Sequence, residues 1–229
     1  VSAGNNVGGL VGNQIGTGSI TNSYSVTSMS ITAATSSSVG GLVGNNAGAI
    51  TNSYSTRNVS GVNNIGGLVG LMNTGTGSVT GSYATGTISG AAQVGGLIGW
   101  TAASTVTTSY ATGNVTGTAS NVGGQIGYTS NVASSVTSSY ATGNVTGTFN
   151  VGGLIGAHVG TASDSFARGD VTATTNIVGG FVGSVSGTIS TSGAYGNVYS
   201  VTSYAGGFIG ATSGTPTITQ SFAIGNAKS

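Results

Sequence analysis

The chain has no cysteine, a single proline, three Lys or Arg, two Asp or Glu and one His among 229 residues. Each shortage removes a class of function. Charged residues make up 2% of the sequence, against about 25% in an ordinary soluble domain. That is too few for a basic nucleic-acid face or an acidic cation array, and it leaves almost no general acids or bases. A formal net charge of +1 steers no charged partner. Without cysteine there are no disulfides, thiolate metal sites or thiol nucleophiles. Long apolar runs are missing as well: Gly, Ser, Thr or Asn interrupts every apolar stretch well short of the ~18 residues of a spanning helix, so no membrane span is expected. The sequence opens at Val1 with no initiating Met and no charged segment ahead of an apolar one. That fits a processed, secreted chain, or an excised piece of a longer one, at the cell surface or outside the cell.

What the chain has is glycine, 45 residues of it, in a repeating frame. The box Val7-Gly-Gly-Leu-Val-Gly12 returns with its Gly-Gly-x-x-Gly skeleton at Val39, Ile65, Val94, Val122, Val151, Val178 and Ala205. The intervals of 32, 26, 29, 28, 29, 27 and 27 residues make residues 1–229 one repeat domain of eight units near 28 residues each, with extra loop between 13 and 38. A second signature, Ser-Tyr-Ala-Thr-Gly-Asn-Val-Thr in its commonest form, places an aromatic at Tyr24, Tyr54, Tyr83, Tyr110, Tyr140, Phe166 and Phe222, with Gly193 in the seventh unit. Apolar rungs stand four residues before it (Ile20, Ile50, Val79 and their equivalents) and five after it (Met29, Val59, Ile88, Val115 and so on).

β-Branched residues favour strands, and this much glycine would cost helices about 1 kcal/mol per position. Three short strands per unit are expected. A 28-residue unit cannot bury its own apolar face, so neighbours must stack, each strand pairing in parallel with its counterpart one coil along. The fold expected is all-β: a parallel β-solenoid of about eight coils, about 38 Å long at ~4.8 Å per coil, with no evident caps.

The Gly-Gly-Leu-Val-Gly box followed by Asn-Ser-Tyr-Ser-Thr or Ser-Tyr-Ala-Thr-Gly-Asn-Val resembles the GLUG-motif repeat of large bacterial cell-surface and secreted proteins, over essentially the whole chain. The resemblance implies spacer, adhesin or passenger modules. It supplies no catalytic residue to carry over. Gln125 departs from the Leu position, Phe181 and Phe208 enlarge it, and Gly193 breaks the aromatic row.

Alternation along a strand sets the residues flanking each aromatic on the opposite face. Ser precedes it in all eight units, and only Ser or Ala follows it. Small residues suit a cramped interior, with the rings outside; the converse, rings in the core and Ser in water, stays open. The same alternation sets Val11 and its equivalents on one face of the Gly box and Leu10, Leu42, Leu68, Leu97, Leu154, Phe181 and Phe208 on the other. A strand apolar on both faces is covered on both. The Leu stripe should therefore pack on another part of the coil or on another molecule, and with the Tyr row it is a candidate assembly surface.

Other motifs have plainer explanations. The Gly boxes lack the Lys and helix of a phosphate loop. Asp164, Arg168, Asp170 and His158 crowd the sixth unit, where a carboxylate pair is the minimum for glycoside chemistry, but a local ion pair accounts for three of them. Asn58, Asn114 and Asn144 open Asn-x-Ser/Thr sequons, candidate glycan acceptors or rungs of a turn ladder with Asn197 and Asn226. A row of Thr and Ser from Thr21 to Thr219 offers hydroxyls to a polysaccharide or to ice, or simply faces solvent.

No cofactor, metal or catalytic residue is expected. The chain begins and ends at nearly the same phase of the repeat, which suits head-to-tail stacking of copies into an open filament, with lateral bundling through the Tyr and Leu rows. The expectation is a non-catalytic, extracellular structural protein that partners itself. The alternative is an adhesin shaft that meets surface glycans through its Tyr and Thr/Ser ladders.

Overall fold

The computed structural model describes residues 5–26, 31–32, 38–73, 77–202 and 204–229. It is an all-β parallel solenoid: five sheets of eight strands each run side by side along the stack, and each coil contributes one strand to every sheet. The fourth coil serves as the type, with strands Ala92–Gly95, Ile98–Thr101, Thr105–Thr107, Tyr110–Ala111 and Val115–Gly117. The register aligns like with like: Val94 pairs Val122, Ile98 pairs Ile126, Val106 pairs Val136, Tyr110 pairs Tyr140 and Val115 pairs Val145, all parallel.

Five strands stand where three were expected because two corners cut what reads as continuous β sequence. Two residues before each aromatic the chain turns through the left-handed region, at Asn22, Asn52, Gly81, Thr108, Ser138, Asp164, Thr191 and Gln220, with φ between 47° and 58°. This corner separates the third sheet from the fourth. It also explains the invariant Ser. A left-handed residue takes the next N–H out of the sheet's own ladder, and a serine hydroxyl replaces the missing acceptor: the N–H of Ser82 donates to Ser109 Oγ at 3.1 Å and that of Ser109 to Ser139 Oγ at 3.2 Å. Each hydroxyl in turn donates to the carbonyl two residues back, as Ser109 does to Thr107 at 2.8 Å. The hydroxyl-to-amide link recurs at every coil-to-coil step from Ser23 to Ser221. Ser109→Ala leaves the Ser82 N–H buried and unpaired, and urea denaturation should show a loss of about 2 kcal/mol.

The interior is divided. One core holds the Leu position, the Val of the Gly box, the third-sheet rung and the small residue after the aromatic. The other is formed between the first and fifth sheets by rungs such as Val94 and Val115. Between them the coil pinches to a waist. A Cβ on Gly96 would sit 2.0 Å from the Gly124 carbonyl oxygen and 2.8 Å from Ala111 Cβ, and Gly124 meets Gly153 and Ala141 in the same way. The second glycine of the box and the Ser or Ala after the aromatic are thus two sides of one contact, each small because the other is there.

The Leu position corrects the expectation from alternation. Leu42, Leu68, Leu97, Leu154 and Phe181 are fully buried, and the half-exposed Leu10 lies in the first coil. At this step consecutive N–H groups share one acceptor: those of Leu97 and Ile98 both donate to the Gln125 carbonyl, at 2.8 and 3.0 Å. The resulting bulge turns both side chains inward, which removes the Leu row from any lateral surface. Phe181 stacks on Phe208 at 4.9 Å in this core, and Gln125 donates its side-chain N–H to the Ser109 carbonyl at 2.8 Å, its Oε1 staying buried without a hydrogen-bond partner among the described residues. In the fifth sheet Val59 pairs with Ile31, not with the Met29 that spacing suggests; Met29 and Val1–Gly4 lie outside the described residues.

Candidate functional site

With the small residues inside, the aromatic row stands on the outer face of the fourth sheet. Tyr24, Tyr54, Tyr83, Tyr110, Tyr140 and Phe166 form one stack with ring centroids 4.8 to 5.3 Å apart and planes within 14° of parallel. The spacing is that of the strands, so the sheet itself holds the rings in contact. Burial among the rings, with the phenols of Tyr140 and Tyr83 on either side, pushes Tyr110 above the ordinary phenol range. Tyr110→Ala strips a neighbour from two stacked faces and should cost about 2 kcal/mol, measured by denaturation.

The break at Gly193 is filled from elsewhere. Tyr195, two residues on, stands edge-on to Phe166 at 6.4 Å and to Phe222 at 5.4 Å, while the Phe222 ring lies against Gly193, where a Cβ would come within 2.5 Å of it. The Arg168 guanidinium carbon sits 5.0 Å from the Phe166 centroid and 4.9 Å from that of Tyr195. Arg168 is therefore held by rings, which replaces the ion pair expected from its neighbours.

The sixth-unit cluster is dispersed by the coil. Asp164 occupies the left-handed corner, a conformation Asp tolerates better than most residues. Asp170 stands in the asparagine row and accepts the Asn197 N–H at 2.8 Å and its amide at 3.2 Å. His158 is buried, its Nδ1 2.8 Å from Thr129 Oγ1, and burial lowers its pKa to about 4. The coil sets the two carboxylates at separate corners.

The sequon asparagines belong to that same row. Asn58 Oδ1 accepts the N–H of Thr87, Asn114 that of Asn144, and Asn144 that of Asp170, at 2.9 to 3.0 Å. Their side chains are exposed and serve as a turn ladder. The hydroxyl row forms the outer edge of the third sheet, where Thr80, Thr107 and Thr137 pair in register beside a second row, Ser78, Thr105 and Ser135.

Sequence reasoning missed one feature. On the outer face of the second sheet Leu71, Trp100 and Tyr128 follow one another in register, where other coils carry Asn13, Asn45, Ala157, Ser184 and Ala211. Beside them runs a row of amides, Asn64, Gln93, Asn121 and Asn150, all with φ between 49° and 59°. Two cavities open here. One, of about 310 Å³, is lined by Asn121, Asn150, Tyr128 and Ser184 among others. The other, of about 270 Å³, is lined by Asn64, Gln93, Trp100 and Tyr128. The signal in the sequence is the single Trp and its departure from the repeat.

Among known families, the GLUG motif matches residues 3–32, 35–60 and 90–116. Each of these segments carries a Gly box and a tyrosine of the aromatic row, and the three matches are consistent with a GLUG-repeat region. No curated protein and no solved structure matches it.

Proposed function

We propose that this GLUG-repeat region is a structural rod of the cell exterior whose coils stack within the chain and, head to tail, between chains. The repeats and the solenoid mark a structural or adhesin-like repeat protein; self-association is the further step. The observation that carries it is the unbroken parallel pairing of all five sheets. A coil gains its hydrogen bonds, its stacked rings and its serine ladder only from neighbouring coils, and any coil set added in phase extends all three together.

Composition supports this. With a net charge of +1 there is almost no repulsion to keep copies apart, and an outer surface of hydroxyls, amides and stacked phenols responds little to salt. Lateral contact falls to the Tyr row, since the Leu row is interior. Absence of cysteine removes thiol–disulfide exchange from the rod's chemistry.

Electron microscopy and fibre diffraction of the purified chain test the proposal. Filaments should form as concentration rises, with an axial reflection near ~4.8 Å that runs unbroken between molecules. Monomers that persist at high concentration would overturn self-assembly.

A further inference from the structure

We propose that the groove over the second sheet binds a neutral pyranose-containing glycan, with Trp100 and Tyr128 as stacking platforms and the Asn64–Gln93–Asn121–Asn150 row as its hydrogen-bonding rail. In a repeat protein, positions that recur in every coil are explained by the architecture. Positions that break the repeat need another reason, and here the breaks gather in one place.

The rings differ from those of the Tyr row. Although Trp100 and Tyr128 are direct partners in the sheet, they form no ring contact with each other, and neither the indole N–H nor the phenol has a hydrogen-bond partner within the described residues. Both are partly exposed and border the same cavity. A partly exposed aromatic ring with no other ring against it and its polar edge unused suits a ligand that offers C–H faces for stacking and hydroxyls for hydrogen bonding.

The rail supplies the polar half. Asn150 Nδ2 donates to Asn121 Oδ1 at 2.9 Å, while Asn150 Oδ1 is buried without a partner in the protein. Each amide both donates and accepts, which matches a vicinal diol better than an anion or a cation. The left-handed backbone at all four positions, unusual for Gln93 above all, breaks the regularity of the first sheet alongside the rings.

Charge chooses the ligand class. No Asp, Glu, Lys or Arg lines either cavity, and the imidazole there, His158, is neutral at pH 7 because burial holds its pKa near 4. Anionic polysaccharides and nucleic acids find no counter-charge, and a cationic peptide finds no carboxylate.

Trp100 is the only tryptophan, so its fluorescence reports on the groove directly. Titration with cellohexaose, laminarihexaose, xylohexaose and chitohexaose to millimolar concentrations should change the intensity or wavelength of Trp100 emission saturably with at least one of them. Tyr128→Ala should weaken that binding about tenfold, the loss of one stacked ring, and Gln93→Ala should weaken it too. Tyr83→Ala, on the fourth sheet, should leave it unchanged. Calorimetry with Trp100→Ala should show no binding, with circular dichroism confirming that each variant is folded. A flat titration with every sugar, equal loss with Tyr83→Ala, or a response to an apolar peptide and not to sugar would each overturn the proposal. None of these outcomes bears on self-assembly.

Discussion

Gly124→Ala is expected to lose about 4 kcal/mol or more, enough to open the stack around the fifth coil, although one methyl is all it adds. The added Cβ would lie 2.1 Å from the Gly153 carbonyl oxygen and 2.9 Å from Ala141 Cβ. The nearer obstacle is backbone hydrogen-bonded into the next coil, which cannot give way as a side chain does, so the cost exceeds that of ordinary overpacking. Gly214→Ala is the control. Its Cβ meets nothing within 4 Å, but φ is +65°, so it should cost only about 1 kcal/mol. Urea denaturation followed by far-ultraviolet circular dichroism compares the two, and similar midpoints would refute the waist. Combining Gly124→Ala with Ala141→Gly should not restore stability, because the carbonyl remains.

Acidification should weaken the fold by about 3 kcal/mol between pH 7 and pH 4 through His158 alone. Its folded pKa is lowered from 6.5 to about 4 by burial, and each tenfold loss of proton affinity is worth ~1.4 kcal/mol. Between the two values the unfolded chain takes up a proton that the folded chain refuses, so stability rises with pH across this window. The contribution is complete above pH 6.5 and is lost progressively as pH falls towards 4, below which this group adds no further loss. Valine is a natural replacement, since the partner of His158 in the next coil is Val185. His158→Val should flatten the dependence, and a parent chain equally stable at both pH values would show that the ring is not buried in its neutral form.

Ser109 and Leu97 show where the sequence speaks plainly and where it misleads. The small size of Ser109 beside an aromatic suits an inward position without deciding it, and nothing in the sequence says that its hydroxyl replaces a missing acceptor, because the left-handed corner that creates the need is a matter of φ at Thr108. Strict alternation places Leu97 opposite Ile98; the bulge that turns both inward depends on two N–H groups converging on one carbonyl of the next coil. Tyr195 is invisible in the sequence as a member of the aromatic row, since its position is two residues out of phase and only the fold brings its edge between Phe166 and Phe222. The groove at Trp100 is hidden for a related reason: its amides and rings come from different strands of several coils.

By itself the sequence determined the period, nearly all of the rungs and the parallel, in-register stacking, because an eightfold repeat can satisfy its backbone and hide its apolar face in no other way so cheaply; the exception is the rung before Val59, which is Ile31 and not Met29. The tertiary structure alone decided which rungs face out, where the coil narrows and which departures from the repeat meet. Those outcomes depend on corners and bulges a single residue wide, whose backbone angles are set by contacts between coils.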